Sequence, residues 1–221
     1  MELANPDPDV ITVWSDVSCP WATLALHTLH QADRAAGLRI DHRSFPLELI
    51  NREPTPKQGH DAEVAAIAAV RPDLGWRAWD QPDATYPVTT LPALEAVQAA
   101  KRPEVGGLEA SDQLDTALRR AFFVEHRCIS LHSVIEDVAR GCPKVDEDAL
   151  RELMSQGAGR SDVYGQLTAV REQEVPGSPS FYNSHGHIAS NPGVDLEWVG
   201  GFPRIKAYDG SWADRIGEAR P

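Results

Sequence analysis

Cys19 is followed at once by Pro20 and preceded by a short β-branched apolar run, Val10-Ile11-Thr12-Val13-Trp14. The run has the composition of a buried strand and breaks at Ser15-Asp16, and a helical pattern begins just after Cys19. Proline suits a first helical turn, where its missing N–H would have been unpaired in any case. The spacing therefore predicts a strand, a tight turn and a helix with Cys19 at its N-cap, the sulfur close to the free N–H groups of Trp21 and Ala22. Those donors and the positive end of the helix dipole favour thiolate over thiol. Thiols so placed titrate below the free value of about 8.5. Cys19 is the best candidate nucleophile in the chain.

The remaining reactive side chains form no second constellation. Cys128 and Cys142 fall in or beside helical segments, where buried or loop thiols are the default. With Cys19 they make an odd count and no disulfide framework, which suits a reducing compartment. His126, Cys128, His132, His185 and His187 have no recognised ligand spacing, and no metal site is expected. Gly157-Ala158-Gly159-Arg160 follows no strand and is no phosphate cradle. Asp16 is read as a hydrogen-bond acceptor in the turn, since a carboxylate beside Cys19 would oppose its ionisation. Trp14 is expected in the core, and Trp21 either shapes a groove or packs beside the turn.

The elements that must position Cys19 can be taken in order. Residues 1–9 are polar and Pro-rich, a loose lead-in. Residues 22–36 carry apolar positions at helix spacing (Leu24, Ala25, Leu29, Ala32, Ala36) and end at Gly37. Residues 38–45 read as a second strand, and a strand–helix–strand unit of this length implies parallel neighbours. Residues 51–58 read as a Pro-rich linker. Helical patterns follow at 61–70, 91–100 with Thr90 as cap, 110–126, 130–140, 146–156, and 161–174 with Ser161 as cap. Strand signals return at 180–183 and 187–190 around a turn at Ser184-His185-Gly186. Residues 191–210 read as a long loop suited to cover a site, holding Trp198, Phe202 and Tyr208. Residues 211–219 read as a short terminal helix.

Asp16-x-x-Cys19-Pro20-Trp21 resembles the active-site motif of the cytoplasmic DsbA-like branch of the thioredoxin superfamily, which includes kappa-class glutathione transferases and 2-hydroxychromene-2-carboxylate isomerases. Redox members carry Cys-Pro-Trp-Cys; here Ala22 replaces the second cysteine. Phe45-Pro46-Leu47 is similar to the family's Pro-Phe-x-Leu segment with the first two residues exchanged. Val175-Pro176-Gly177-Ser178-Pro179 resembles the loop carrying its cis-proline. The resemblance implies an α/β thioredoxin-like fold with an all-helical insertion between the second and third strands. Residues 10–54 and 175–221 would form the thioredoxin-like domain and 55–174 the insertion. It also implies that Ser178 and Pro179 turn backbone groups outward to pair with an extended substrate, beside Pro20, Trp21 and Ala22.

The chain has 221 residues, 42% of them hydrophobic and 24% charged, ordinary for a globular protein. A net charge of −12 argues against nucleic acid or an anionic membrane as partner. No apolar run approaches a spanning helix, and the acidic, Pro-broken start is not that of a signal peptide; the expected place is the cytoplasm. Without a second cysteine, Cys19 cannot resolve its own mixed disulfide. The leading expectation is thiol–disulfide exchange through Cys19 alone. The substrate would be a disulfide-containing protein or small thiol, with release by a low-molecular-weight thiol such as glutathione and no bound cofactor. The alternatives are a transferase or isomerase dependent on a thiol cofactor, and a redox-inactive binding module.

Overall fold

The computed structural model describes residues 1–32, 37–54, 56–173 and 175–216. Strand β1 (Val10–Ser15) is buried at every residue because it is central. It pairs in parallel with β2 (Arg39–Ser44) and antiparallel with β3 (Ser180–Asn183). β4 (Gly186–Ser190) joins β3 antiparallel, giving the order β2-β1-β3-β4. A strand covered on both faces needs a continuous apolar run, which is why the period-2 pattern is absent from β1. Helix α1 (Pro20–Gln31) connects β1 to β2 and buries Leu24, Ala25, Leu26 and Leu29. Its cap is Ala32, and the expected continuation to Ala36 lies outside the described residues.

Between β2 and β3 the described residues are helical: α2 (Leu47–Asn51), α3 (Lys57–Val70), α4 (Leu91–Ala100), α5 (Gly107–Phe123), α6 (His132–Arg140), α7 (Glu147–Ser155) and α8 (Arg160–Glu172), with two short 3-10 turns before α4. The expected linker at 51–58 is thus shorter than its composition suggested, because α2 and α3 reach into it. α8 starts from Gly159, in the left-handed region at φ 86°, rather than from a Ser161 cap. A Cβ there would lie 2.2 Å from the Glu95 carbonyl oxygen, so glycine is required for α8 to approach α4.

β2 is polar in sequence and buried in fact. Asp41, His42 and Ser44 are at most 2% exposed. The helical block supplies their partners: Lys101 on Asp41, Asp112 on His42, and Gln166 on the Ser44 N–H. Such pairing offsets the cost of burying them, although His42 Nδ1 and Ser44 Oγ have no hydrogen-bond partner among the described residues.

Two expectations fail at the ends of the sheet. The lead-in is anchored, with Leu3 accepting a hydrogen bond from Trp14 Nε1 at 2.8 Å and Asn5 N donating to Thr12 Oγ1. Trp14 itself is fully buried, as expected of a core residue. The supposed loop at 191–210 is largely a hairpin, β5 (Val194–Val199) paired with β6 (Phe202–Tyr208). Its alternating residues Val194, Leu196, Ile205 and Tyr208 pack on the main core cluster, and the Gly200-Gly201 turn has positive φ at both positions. Helix α9 (Trp212–Ile216) closes the described chain, and the expected extension to Ala219 lies outside it. Among the described residues, no helix is long and apolar enough to cross a membrane.

Candidate active site

Cys19 is the N-cap of α1, with Pro20 in the first turn, as the sequence requires. As the protonated thiol its sulfur accepts no capping hydrogen bond, though the Ala22 N–H lies close enough to favour the thiolate. The sulfur donates instead to the carbonyl oxygen of Ser178 at 3.2 Å. The Ser178–Pro179 peptide is cis, and β3 begins one residue later, so the two ends of β1 and β3 bring the segments together. The Ser178 carbonyl therefore faces the cysteine, not outward to a substrate as expected. The Ser178 hydroxyl accepts from the Asp16 N–H at 3.0 Å and locks the two turns to each other.

The environment reverses the expected acidity of Cys19. The residue is 4% exposed and belongs to an apolar cluster with Val17, Trp21, Trp76, Trp79, Phe122 and Phe123. Burial pushes the thiol up to about 11; the Ser178 hydroxyl and the Ala22 N–H pull the other way and lose. The amides at the helix start do favour thiolate, but loss of water from a buried sulfur outweighs them. In this conformation Cys19 is a neutral S–H donor.

The other residues named from sequence are equally enclosed. Pro20, Ala22 and Pro179 are buried, Trp21 is 7% exposed, and Ser178 is partly exposed. The Trp21 indole N–H donates to Glu63 on α3 at 2.9 Å. Asp16, fully buried, accepts from the Ser18 N–H and hydroxyl, the Leu47 N–H and the Thr90 hydroxyl. Burial pushes its carboxyl up against those donors. Thr90 thus spends its hydroxyl on Asp16 and caps nothing. Cys128 and Cys142 are free thiols, Cys142 buried and donating to Val138 O at 3.4 Å within its own helix end. No cluster of metal-ligating side chains occurs among the described residues.

Three residues around Cys19 escaped the sequence reading. His60, on α3, is 4% exposed with Nε2 3.2 Å from the Ser18 carbonyl, and its ring lies against Phe122 and Phe123. Burial pushes it down to about 4, so it is neutral and donates. Glu63 stands near enough to Cys19 to oppose its ionisation, and burial pushes its own carboxyl up. Arg119, on α5, is buried and reaches the β1–α1 turn. All three come from the helical block, where single-sequence patterns show a helix face but not what it faces.

Two spaces lie near the Cys19 turn, and Cys19 lines neither. A space of about 10 Å³ beside Ser18, Tyr86 and Phe122 is too small for a ligand. A cleft of about 990 Å³ opens between α1 and α5, lined by His27, His30, Asp112 and Arg119 among others, and Cys19 is not among its lining residues.

A cysteine capping the first helix, set against the residue before a cis-proline and carried on a sheet of this order, defines a thioredoxin-like protein with a helical insertion. The chain belongs to the DSBA-like thioredoxin domain family, whose model matches residues 10–200. It is similar in fold to the cytosolic disulfide reductase DsbM from Pseudomonas aeruginosa, at a TM-score of 0.66 and 15% identity over 95% of this chain and 97% of that one. The same reductase with GSH matches at 0.64 and 16%, over 81% and 89%. A probable DsbA oxidoreductase from Streptomyces coelicolor matches at 0.59 and 19%, over 82% and 83%. A 2-hydroxychromene-2-carboxylate isomerase matches at 0.58 and 15%, over 82% and 89%. No curated protein matches the chain in sequence.

Proposed function

We propose that the protein is a cytoplasmic thiol–disulfide oxidoreductase that works through Cys19 as a single thiol. The observation that carries this reading is the 3.2 Å approach of the Cys19 sulfur to Ser178 O, which puts the one motif cysteine against the segment entering β3. Ala22 has no thiol, so the cycle needs an outside partner. The Cys19 thiolate attacks one sulfur of a substrate disulfide; a Cys19–substrate disulfide forms and the other substrate sulfur leaves as thiolate. An external thiolate then attacks the mixed disulfide at Cys19. The substrate sulfur leaves as thiolate and Cys19 stays joined to the external thiol; a second external thiolate attacks that outer sulfur, forming the external disulfide and releasing Cys19 as thiolate. Two electrons reach the substrate for each pair of external thiols oxidised. Glutathione fits that role, and the glutathione-bound reductase of similar fold supports it.

The buried thiol sets a condition. Substrate reaches the 4% exposed Cys19 only when the packing around it opens, which also admits water and lowers the thiol pKa. Pro20, Trp21, Ala22, Ser178 and Pro179 would line the opened groove. The test is turnover of a glutathionylated peptide with glutathione in excess. The reading expects activity in the wild type and none in Cys19→Ser; equal turnover by the two proteins would overturn it.

One observation favours a second reading. A neutral S–H held in place is suited to donate a hydrogen bond to a bound thiol cofactor rather than to attack, as a transferase or isomerase would need. Tight glutathione binding without a covalent adduct would select it.

A further inference from the structure

Arg119 has five N–H groups, and five hydrogen bonds account for them. Nε and Nη2 hold the two carboxylate oxygens of Asp115 at 2.6 and 3.1 Å, and Nη2 also reaches Ser15 Oγ at 2.9 Å. Nη1 donates to Asp16 O at 3.0 Å and to Thr23 Oγ1 at 2.9 Å. Such a fork cannot be copied by lysine, which has three donors on a single nitrogen. The residue is 3% exposed, so the charge stays tolerable only through this complete set of partners.

The two Nη1 contacts converge on Cys19. The Asp16 carbonyl that accepts from Nη1 also accepts the Cys19 N–H, at 3.1 Å. The Thr23 hydroxyl that accepts from Nη1 passes its own hydrogen to the Cys19 carbonyl, at 3.0 Å. One guanidinium nitrogen thus stands one partner away from both backbone polar groups of the cysteine. Donor chains of this kind polarise each other in a buried site.

We propose that Arg119 is the positioning residue of the Cys19 site, fixing the cysteine backbone from both sides through Asp16 and Thr23 while lending the site a permanent positive charge. The helical block then does more than cover the thioredoxin-like sheet, because α5 sets the geometry of the reactive turn. The consequence for exchange rests on the reading of Cys19 as the attacking thiol. The positioning itself does not. Coulombic attraction from Arg119 works in the same sense on the sulfur, favouring its ionisation.

The test follows Cys19 alkylation by peptide mass across pH, with glutathione-disulfide exchange measured in parallel. Arg119→Met leaves the buried Asp115 with only His42 Nδ1, at 3.7 Å, among the described residues and is expected to destabilise the fold, so the deciding variants are Arg119→Lys, Thr23→Val and Thr23→Ser. Loss of one hydrogen bond of ordinary strength predicts Cys19 alkylation about fivefold slower at pH 9 in Thr23→Val. Its titration midpoint should lie above the wild type, kcat for exchange should fall at unchanged KM, and Thr23→Ser should restore all three. Arg119→Lys, which keeps the charge but loses the fork, should move alkylation, midpoint and kcat in the same direction as Thr23→Val. A purely structural role would loosen the cover, speeding alkylation and lowering the midpoint, and that result overturns the proposal. So do Thr23→Val and Arg119→Lys profiles that match the wild type. If the wild type takes no glutathionyl group yet the alkylation midpoints move as stated, positioning stands and the exchange reading falls.

Discussion

Cys19 and Ser178, 159 residues apart in the chain, meet sulfur to carbonyl oxygen at 3.2 Å. A carbonyl can only accept, so the contact requires the proton to be on sulfur. The same neighbour also offers a hydroxyl that favours the thiolate once the proton has left. Ser178 thus serves both protonation states, and the balance between them is set by how much water reaches the sulfur.

Cys19 in the closed protein should be a poor nucleophile. Burial pushes the thiol up to about 11 from 9.0. Folding therefore favours the protonated form, and the sulfur costs stability as pH rises from about 9 towards 11, where the unfolded chain ionises and the folded one does not. That window corresponds to about 2–3 kcal/mol. Urea denaturation at pH 8 and pH 11 should show a larger loss in the wild type than in Cys19→Ala. Equal losses would show that the sulfur is already hydrated.

His60 sets the acid limb. Its folded pKa, pushed down to about 4 by burial against the ordinary 6.5, means that the unfolded state takes up a proton first as pH falls. Stability is fully present above 6.5 and is lost between 6.5 and 4, by about 3 kcal/mol. His60→Phe, which suits the ring contacts with Phe122 and Phe123, should flatten that limb while giving up the bond to Ser18 O. Thermal melts at pH 7 and pH 4.5 check this, and an unchanged acid loss in the variant would remove His60 from the account.

Glu63 opposes the ionisation of Cys19 and accepts from the Trp21 indole. Glu63→Gln keeps an acceptor for that N–H and removes the charge. Cys19 alkylation at pH 9 should become roughly two- to fivefold faster, the size expected for a partly screened charge. Slower alkylation would reverse the assigned sign.

Ser178→Ala deletes the acceptor for the buried Asp16 N–H and the hydroxyl beside the sulfur. The stranded N–H costs about 1–3 kcal/mol. Loss of the hydroxyl should raise the Cys19 midpoint, slowing alkylation roughly threefold to tenfold at fixed pH. Ser178→Thr should behave nearly as the wild type, and an alanine variant as reactive as the parent would show that the hydroxyl is idle.

The arrangement of Cys19, Pro20 and the preceding β-branched run was readable in sequence because strand composition and a first-turn proline are local signals. The motif resemblance set Ser178 and Pro179 beside Pro20, Trp21 and Ala22, but with the backbone turned outward rather than onto the Cys19 sulfur. The acidity of Cys19 was misjudged because the helix start is local while its burial comes from distant segments, among them those holding Ser178 and Glu63. The hairpin at 194–208 was missed although Val194, Leu196 and Trp198 alternate with Asp195 and Glu197 before a Gly-Gly turn. Arg119 was invisible for a different reason. It sits among charged residues of an amphipathic helix, and only the tertiary fold shows that its side chain is buried against Ser15, Asp16 and Thr23.

The central claim is that Cys19 exchanges disulfides, and mass spectrometry of the native protein incubated with glutathione disulfide tests it most directly. The account predicts a single glutathionyl group on the peptide holding Cys19, released by added glutathione and absent from Cys19→Ser. An unmodified Cys19 in folded protein, with label on Cys128 or on no cysteine, would contradict it.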